Sequence, residues 1–217
     1  VSRGFGVSKK NIKLLLDKEA TLVNYFSALD LWLPSKIKPN ITELIIFFSG
    51  HGLATTDGKE LYLLAQDSIT DLLTMTAISR SELYKEINKL KPKSVTLFFD
   101  TCFSGTSRED ESLLLAAKPI KILSTNVAEI PDNFTVFSAS LLNQISSGFK
   151  EAKNGLFSYY LMKGLEGKAD KNNDKKITNG ELHFYMDENI AQRAAELGRQ
   201  QNSELAGDPN QVLMKYR

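Results

Sequence analysis

The stretch "SVTLFFDTCFSG", residues 94–105, decides how this chain is read. Its first half, Ser94 to Asp100, is an almost unbroken apolar run, the pattern of a strand covered on both faces in a parallel sheet. Its second half leaves the strand through the small turn residues Ser104 and Gly105 and carries Cys102, the only cysteine among 217 residues. A single cysteine forms no internal disulfide, so this thiol is either a small buried hydrophobe or a nucleophile.

A second run of the same kind lies upstream. "ELIIFFSG" (43–50) reads as a central, doubly buried strand, and it delivers His51 between Gly50 and Gly52. Shorter runs at "NIKLLLD" (11–17), "KELYLLAQD" (59–67), "FTVFSAS" (134–140) and "NQVLMKY" (210–216) read as further strands. Helical spacing predicts helices over Glu19–Leu33, Ser79–Lys91, 154–167 and 180–198, the second opened by a capping-box-like Ser79 and Glu82. The segment between Cys102 and Phe134 has mixed charge and no clean period, and reads mostly as loop. Strands separated by crossover helices imply an α/β sandwich with a mostly parallel sheet.

The length suits one domain, and 27 Lys and Arg against 26 Asp and Glu leave a formal charge of +1. Without a basic field, neither nucleic acid nor an anionic membrane surface is an expected partner. The longest apolar runs are too short to cross a bilayer, and the amino end carries no signal-peptide pattern.

The two buried strands each place a reactive side chain just past the carboxyl end, where ligands gather in open α/β sheets. If the strands are adjacent and parallel, His51 and Cys102 meet across one cleft. An imidazole that takes the thiol proton makes the thiolate nucleophilic, and the same group then protonates a leaving amine. The backbone N–H groups of Gly52 and Cys102 are the expected oxyanion donors.

"FFSGHG" (47–52) followed by "LFFDTCFSG" (97–105) resembles the histidine and cysteine signatures of the caspase-like cysteine peptidases, in particular the metacaspase and bacterial caspase-homologue branch. The separation of 51 residues fits the roughly 50 such signatures keep. "VFSAS" and "GLFSYYLMKGLEGKAD" resemble the small-subunit region of bacterial members. The resemblance implies a caspase-haemoglobinase fold, a three-layer α/β/α sandwich lacking the usual first strand and helix. Residues 1–122 would be large-subunit-like and 123–217 small-subunit-like, within one catalytic domain. It also implies a cytoplasmic cysteine endopeptidase with Cys102 as nucleophile, His51 as general base and acid, and a peptide or protein as substrate. The chemistry requires no cofactor.

Where true caspases carry glutamine and alanine before the cysteine, this chain has "DTC", and metacaspases and paracaspases place an acid there. Asp100 is therefore expected at the floor of the pocket for P1, the residue before the cut, pairing with Arg or Lys. An aspartate-selective peptidase is the alternative, as is a catalytically silent module that keeps the fold and binds peptides. In the loop at 107–126, Arg108, Lys118 and Lys121 are compatible with self-cleavage, as in a zymogen. Finally, "DKNNDKKITNGE" (170–181) matches the twelve-position calcium loop: Asp170, Asn172, Asp174, Lys176, Thr178 and Glu181 stand at positions one, three, five, seven, nine and twelve. Lys175 occupies the position where glycine normally permits the sharp turn. Ca²⁺ is the metal this spacing suggests, either for an activated peptidase or for a calcium-sensing interaction domain.

Overall fold

Alternation along Ser94–Asp100 sets the layers. Neighbouring side chains of a strand point to opposite faces; Val95, Leu97 and Phe99 enter one core, and Phe98 enters the other. The computed structural model describes residues 5–55, 60–101, 130–139, 148–149 and 154–216. In chain order its helices are α1 (Leu22–Phe26), α2 (Leu73–Thr76), α3 (Arg80–Lys89), α4 (Leu156–Lys163) and α5 (Asn179–Glu196). Its strands are β1 (Glu43–Ser49), β2 (Gly52–Ala54), β3 (Leu61–Leu64), β4 (Ala77–Ser79), β5 (Ser94–Asp100), β6 (Phe134–Ser138), β7 (Gly148–Phe149), β8 (Asn154–Gly155), β9 (Lys176–Thr178), β10 (Glu204–Ala206) and β11 (Val212–Lys215).

The main sheet runs β1-β5-β6-β10, with the first three strands parallel and β10 antiparallel to β6. One face packs Leu97, Phe99 and Val136 against Leu83, Tyr84 and Ile87 of α3 and against Leu29 and Leu33. The other packs Phe98, Phe137 and Ala139 against Leu156, Phe157 and Leu161 of α4 and Leu182, Met186 and Ile190 of α5. This is the expected three-layer α/β sandwich. Close approach of the two helices on the second face requires Gly164, where a Cβ would lie 2.6 Å from a methyl of Leu182.

Several elements differ from the sequence reading. "NIKLLLD" forms no strand: 3₁₀ turns at Lys9–Asn11 and Asp17–Glu19 bracket an irregular stretch in which Leu14 is 63% exposed. Leu14, Leu15 and Leu16 are consecutive, and of the three only Leu15 is partly buried. The first helix starts later than expected, at Leu22, because Thr21 caps it by accepting the Asn24 N–H, and it widens into a π-helix over Ser27–Trp32.

β1 is an edge strand of the main sheet among the described residues, not a central one. Its continuous apolar run still has a cause, since Leu44, Ile46 and Phe48 pack on one core and Ile45 on the other. "KELYLLAQD" does contain a strand, β3, but it sits in a separate antiparallel sheet with β2 and β4. "NQVLMKY" supplies β11, which pairs antiparallel with β9 and not with the main sheet. α3 keeps the Ser79 half of its cap, while the Glu82 carboxylate pairs with Lys85.

Candidate active site

β1 and β5 are locked in a parallel register that matches Ser49 with Asp100, and past that last rung the Gly50 N–H donates to the Asp100 carbonyl at 3.3 Å. Gly50 suits this position because a Cβ there would meet the Phe48 ring at 3.0 Å. His51 comes immediately after, an exposed residue between β1 and β2 whose carbonyl accepts the Leu64 N–H at 2.9 Å. That bond joins the small β2-β3-β4 sheet to the end of the main one, so the backbone carrying His51 is held from both sides. Gly52 opens β2, buried opposite Leu63.

Asp100 ends β5 with no solvent exposure, and Thr101 beside it is equally enclosed. The Asp100 Oδ2 accepts a hydrogen bond from the Ser158 hydroxyl in the first turn of α4. Sequence reasoning misses Ser158; nothing in its local pattern marks it, and it lies 58 positions from its partner. Cys102, Arg108, Lys118 and Lys121 lie outside the described residues. In the sequence Cys102 stands two positions after Asp100, as His51 stands two after Ser49.

The six residues of the calcium-loop spacing occupy a tight turn leading through β9 into α5. Asp170 Oδ1 accepts the Asp174 N–H, and its Oδ2 accepts both the Lys175 N–H and the Tyr216 hydroxyl at 2.5 Å. Asn172 Oδ1 takes the Asp174 N–H and Asp174 Oδ1 the Lys176 N–H. Thr178 and Glu181 form a reciprocal capping box at the start of α5. Lys175 adopts the left-handed conformation, φ 62°, which glycine takes at that position in calcium loops. Among the described residues, no three His, Cys, Asp or Glu side chains are gathered to hold a metal ion. These hydrogen bonds close the loop on itself.

Tyr216 and Asp170 form a latch with a pH signature. The Tyr216 hydrogen bond is the main cause holding the Asp170 carboxyl below its usual range, desolvation opposes it, and the loop N–H groups add to it. The same bond pushes the phenol up to about 12. A lowered carboxyl contributes stability above its unfolded pKa that is lost as pH falls through the folded one; a raised phenol contributes below its unfolded value and loses it as pH rises through about 12. Wild type should therefore melt above Tyr216→Phe by a constant margin near neutral pH. The margin should shrink below about pH 4 and again above about pH 10, which thermal melts across pH would show.

With this geometry in hand, comparison with known proteins gives the family. The caspase domain matches residues 33–210, and the chain belongs to that family, whose members are cysteine peptidases. No curated protein matches the chain. Among solved structures it is similar to protein GSU0716 from Geobacter sulfurreducens, with a TM-score of 0.57 at 18% identity over 94% of this chain and 80% of that one. No described helix is long and apolar enough to cross a membrane.

Proposed function

We propose that the protein is a cysteine endopeptidase in which His51 and Cys102 form the dyad and Asp100 selects Arg or Lys before the cut. The observation that carries this reading is the β1/β5 register. It matches residues 51 apart along the whole of both strands, and 51 is also the spacing of His51 and Cys102. The two parallel strands thus finish at the same end of the sheet, at Ser49 and Asp100, and His51 and Cys102 each follow two positions later in the sequence, which supports a shared cleft. His51 is exposed at that strand end. Attack by the thiolate on the scissile carbonyl forms a C–S bond while the Gly52 and Cys102 N–H groups bind the oxyanion. The imidazolium then gives its proton to the leaving amine, and water hydrolyses the thioester.

Asp100 supports basic selectivity as an anion placed beside this strand end. Its side chain has no exposure, so a P1 cation reaches it only through a local opening as the peptide binds. Fluorogenic peptides ending in Arg, Lys or Asp test the proposal. Cleavage after Arg and Lys, none after Asp and none by Cys102→Ala is expected; a wild type silent on all three would favour a peptide-binding module. Self-processing in the 107–126 loop belongs to the same reading and would appear as a change of intact mass absent from Cys102→Ala. For the 170–181 loop we propose no cation-driven step; calorimetric heat on Ca²⁺ titration that vanishes in Asp170→Ala would establish the calcium reading instead.

A further inference from the structure

We infer that Ile69, Leu72 and Met75 form an apolar ridge that binds the part of the substrate following the cut, taking a hydrophobic side chain within about four residues of it; this rests on the reading of His51 given above. The ridge belongs to the loop at 65–76, which leaves β3 and returns into β4 through the rung that matches Leu64 with Ala77. Leu64 is also the residue whose N–H bonds to the His51 carbonyl, so the loop is rooted beside the proposed base. Its hydroxyl groups close it from within. Ser68 Oγ accepts the Ala65 N–H at 2.8 Å and donates to the Thr76 carbonyl, and the Thr76 hydroxyl accepts the Ile69 N–H at 2.9 Å. The Ala20 carbonyl accepts the Gln66 N–H and Asp67 Oδ1 accepts the Leu22 N–H, which braces the base of the loop against the amino-terminal segment. The large apolar side chains are left outside: Ile69 is 51% exposed, Leu72 46% and Met75 74%. They stand three residues apart through a 3₁₀ turn (Thr70–Leu72) and α2, a spacing that favours a common side. A loop that hydrogen-bonds inward and keeps its hydrophobes in water reverses the usual pattern, and exposed apolar groups arranged together mark contact surfaces.

The occupant follows from the chemistry assigned next door. His51 gives its proton to the leaving amine, so the fragment after the cut departs from the dyad on the His51 side, whereas the residue before the cut is assigned to Asp100 on β5. Ile69 bonds to Thr76, and Thr76 adjoins Ala77, the cross-strand partner of Leu64. These steps put the ridge on the order of 10–15 Å from Leu64, a span that an extended peptide covers in about three to four residues. Three aliphatic and thioether side chains recognise no charge; they remove apolar surface from water, and the flexible Met75 adapts to more than one hydrophobic shape.

Two internally quenched peptides test this, identical up to the cut and carrying leucine in one and serine in the other at the second to fourth positions after it. A short substrate, in which a fluorophore directly follows the same P1 residue, serves as the reference. Wild type is expected to cleave the leucine peptide with roughly tenfold higher kcat/KM than the serine peptide, mainly through KM, as removal of on the order of 50 Å² of apolar surface from water would give. In Ile69→Ser/Met75→Ser the ratio should fall to within about twofold of one, and in Ile69→Val/Met75→Leu, which keeps the ridge apolar, it should remain near the wild-type value. Wild type that cleaves the short substrate without preferring leucine, or a serine variant that keeps the preference, would overturn the ridge alone. So would a serine variant that loses all three substrates equally with a lower melting temperature, the mark of a structural role. A wild type that sediments as a dimer while the serine variant sediments as a monomer would assign the face to a second copy of the chain and overturn the ridge as well. Cleavage of none of the three by wild type would overturn the peptidase reading and this inference with it.

Discussion

Exchange of His51 for alanine is expected to lower kcat/KM on any cleaved peptide by about a thousandfold or more while moving the thermal midpoint by no more than about 1 °C. Both halves come from where the residue sits. His51 is exposed at a strand end and its backbone, not its ring, makes the bond to Leu64. Truncation therefore opens no cavity in either core. Chemically, the ring is assigned both proton transfers, and the thiol without it is mostly protonated near neutrality. The double variant with Cys102→Ala should be no worse than Cys102→Ala alone, because members of a catalytic unit do not contribute additively. A loss below tenfold, or a drop in melting temperature that accounts for the loss, would remove His51 from the mechanism.

Phe98→Ala is expected to be the most damaging core substitution, costing about 3–5 kcal/mol and roughly 10 °C in melting temperature. The ring is 1% exposed and stacks on Phe137 with centroids 5.0 Å apart. It lies in the cluster that joins the sheet to α4 and α5, so the void would open where both helices dock. The rung itself supplies a control. Phe47, Phe98 and Phe137 stand side by side across β1, β5 and β6, yet Phe47 on the edge strand is 45% exposed. Phe47→Ala should cost roughly 1 kcal/mol or less. Equal losses at the two positions in denaturant titrations would contradict this account of which strand is central.

β5, β6, α3 and α5 were legible because their signals are local: a continuous apolar run, a 3.6-residue period, a capping serine. Position within the sheet was not legible for β1, since a strand whose residues serve two cores looks the same in sequence whether or not a neighbour covers its outer edge. The leucines of 11–17 misled because a short apolar run states a capacity to pair, and whether it pairs is settled by the rest of the fold. At the site, His51 and Cys102 stand out as rare residue types among glycines. Ser158 and Tyr216 are common types whose meaning comes only from a carboxylate brought to them by folding, across 58 and 46 positions.

The register of β1 on β5 also says which changes in chain length the site tolerates. Between the two strands the chain travels out through β2, β3 and β4, α3 and their connections, and a residue added in one of those connections leaves every rung from Glu43 and Ser94 to Ser49 and Asp100 unchanged. A residue removed inside β5 acts differently. Side chains alternate, so the shift would turn Asp100 from its face to the opposite one and leave the residues beyond it one step short of their counterparts on β1. For the proposed dyad, the distance that matters is thus counted in rungs of a ladder, and the connections among the 50 residues between His51 and Cys102 are free to vary in length.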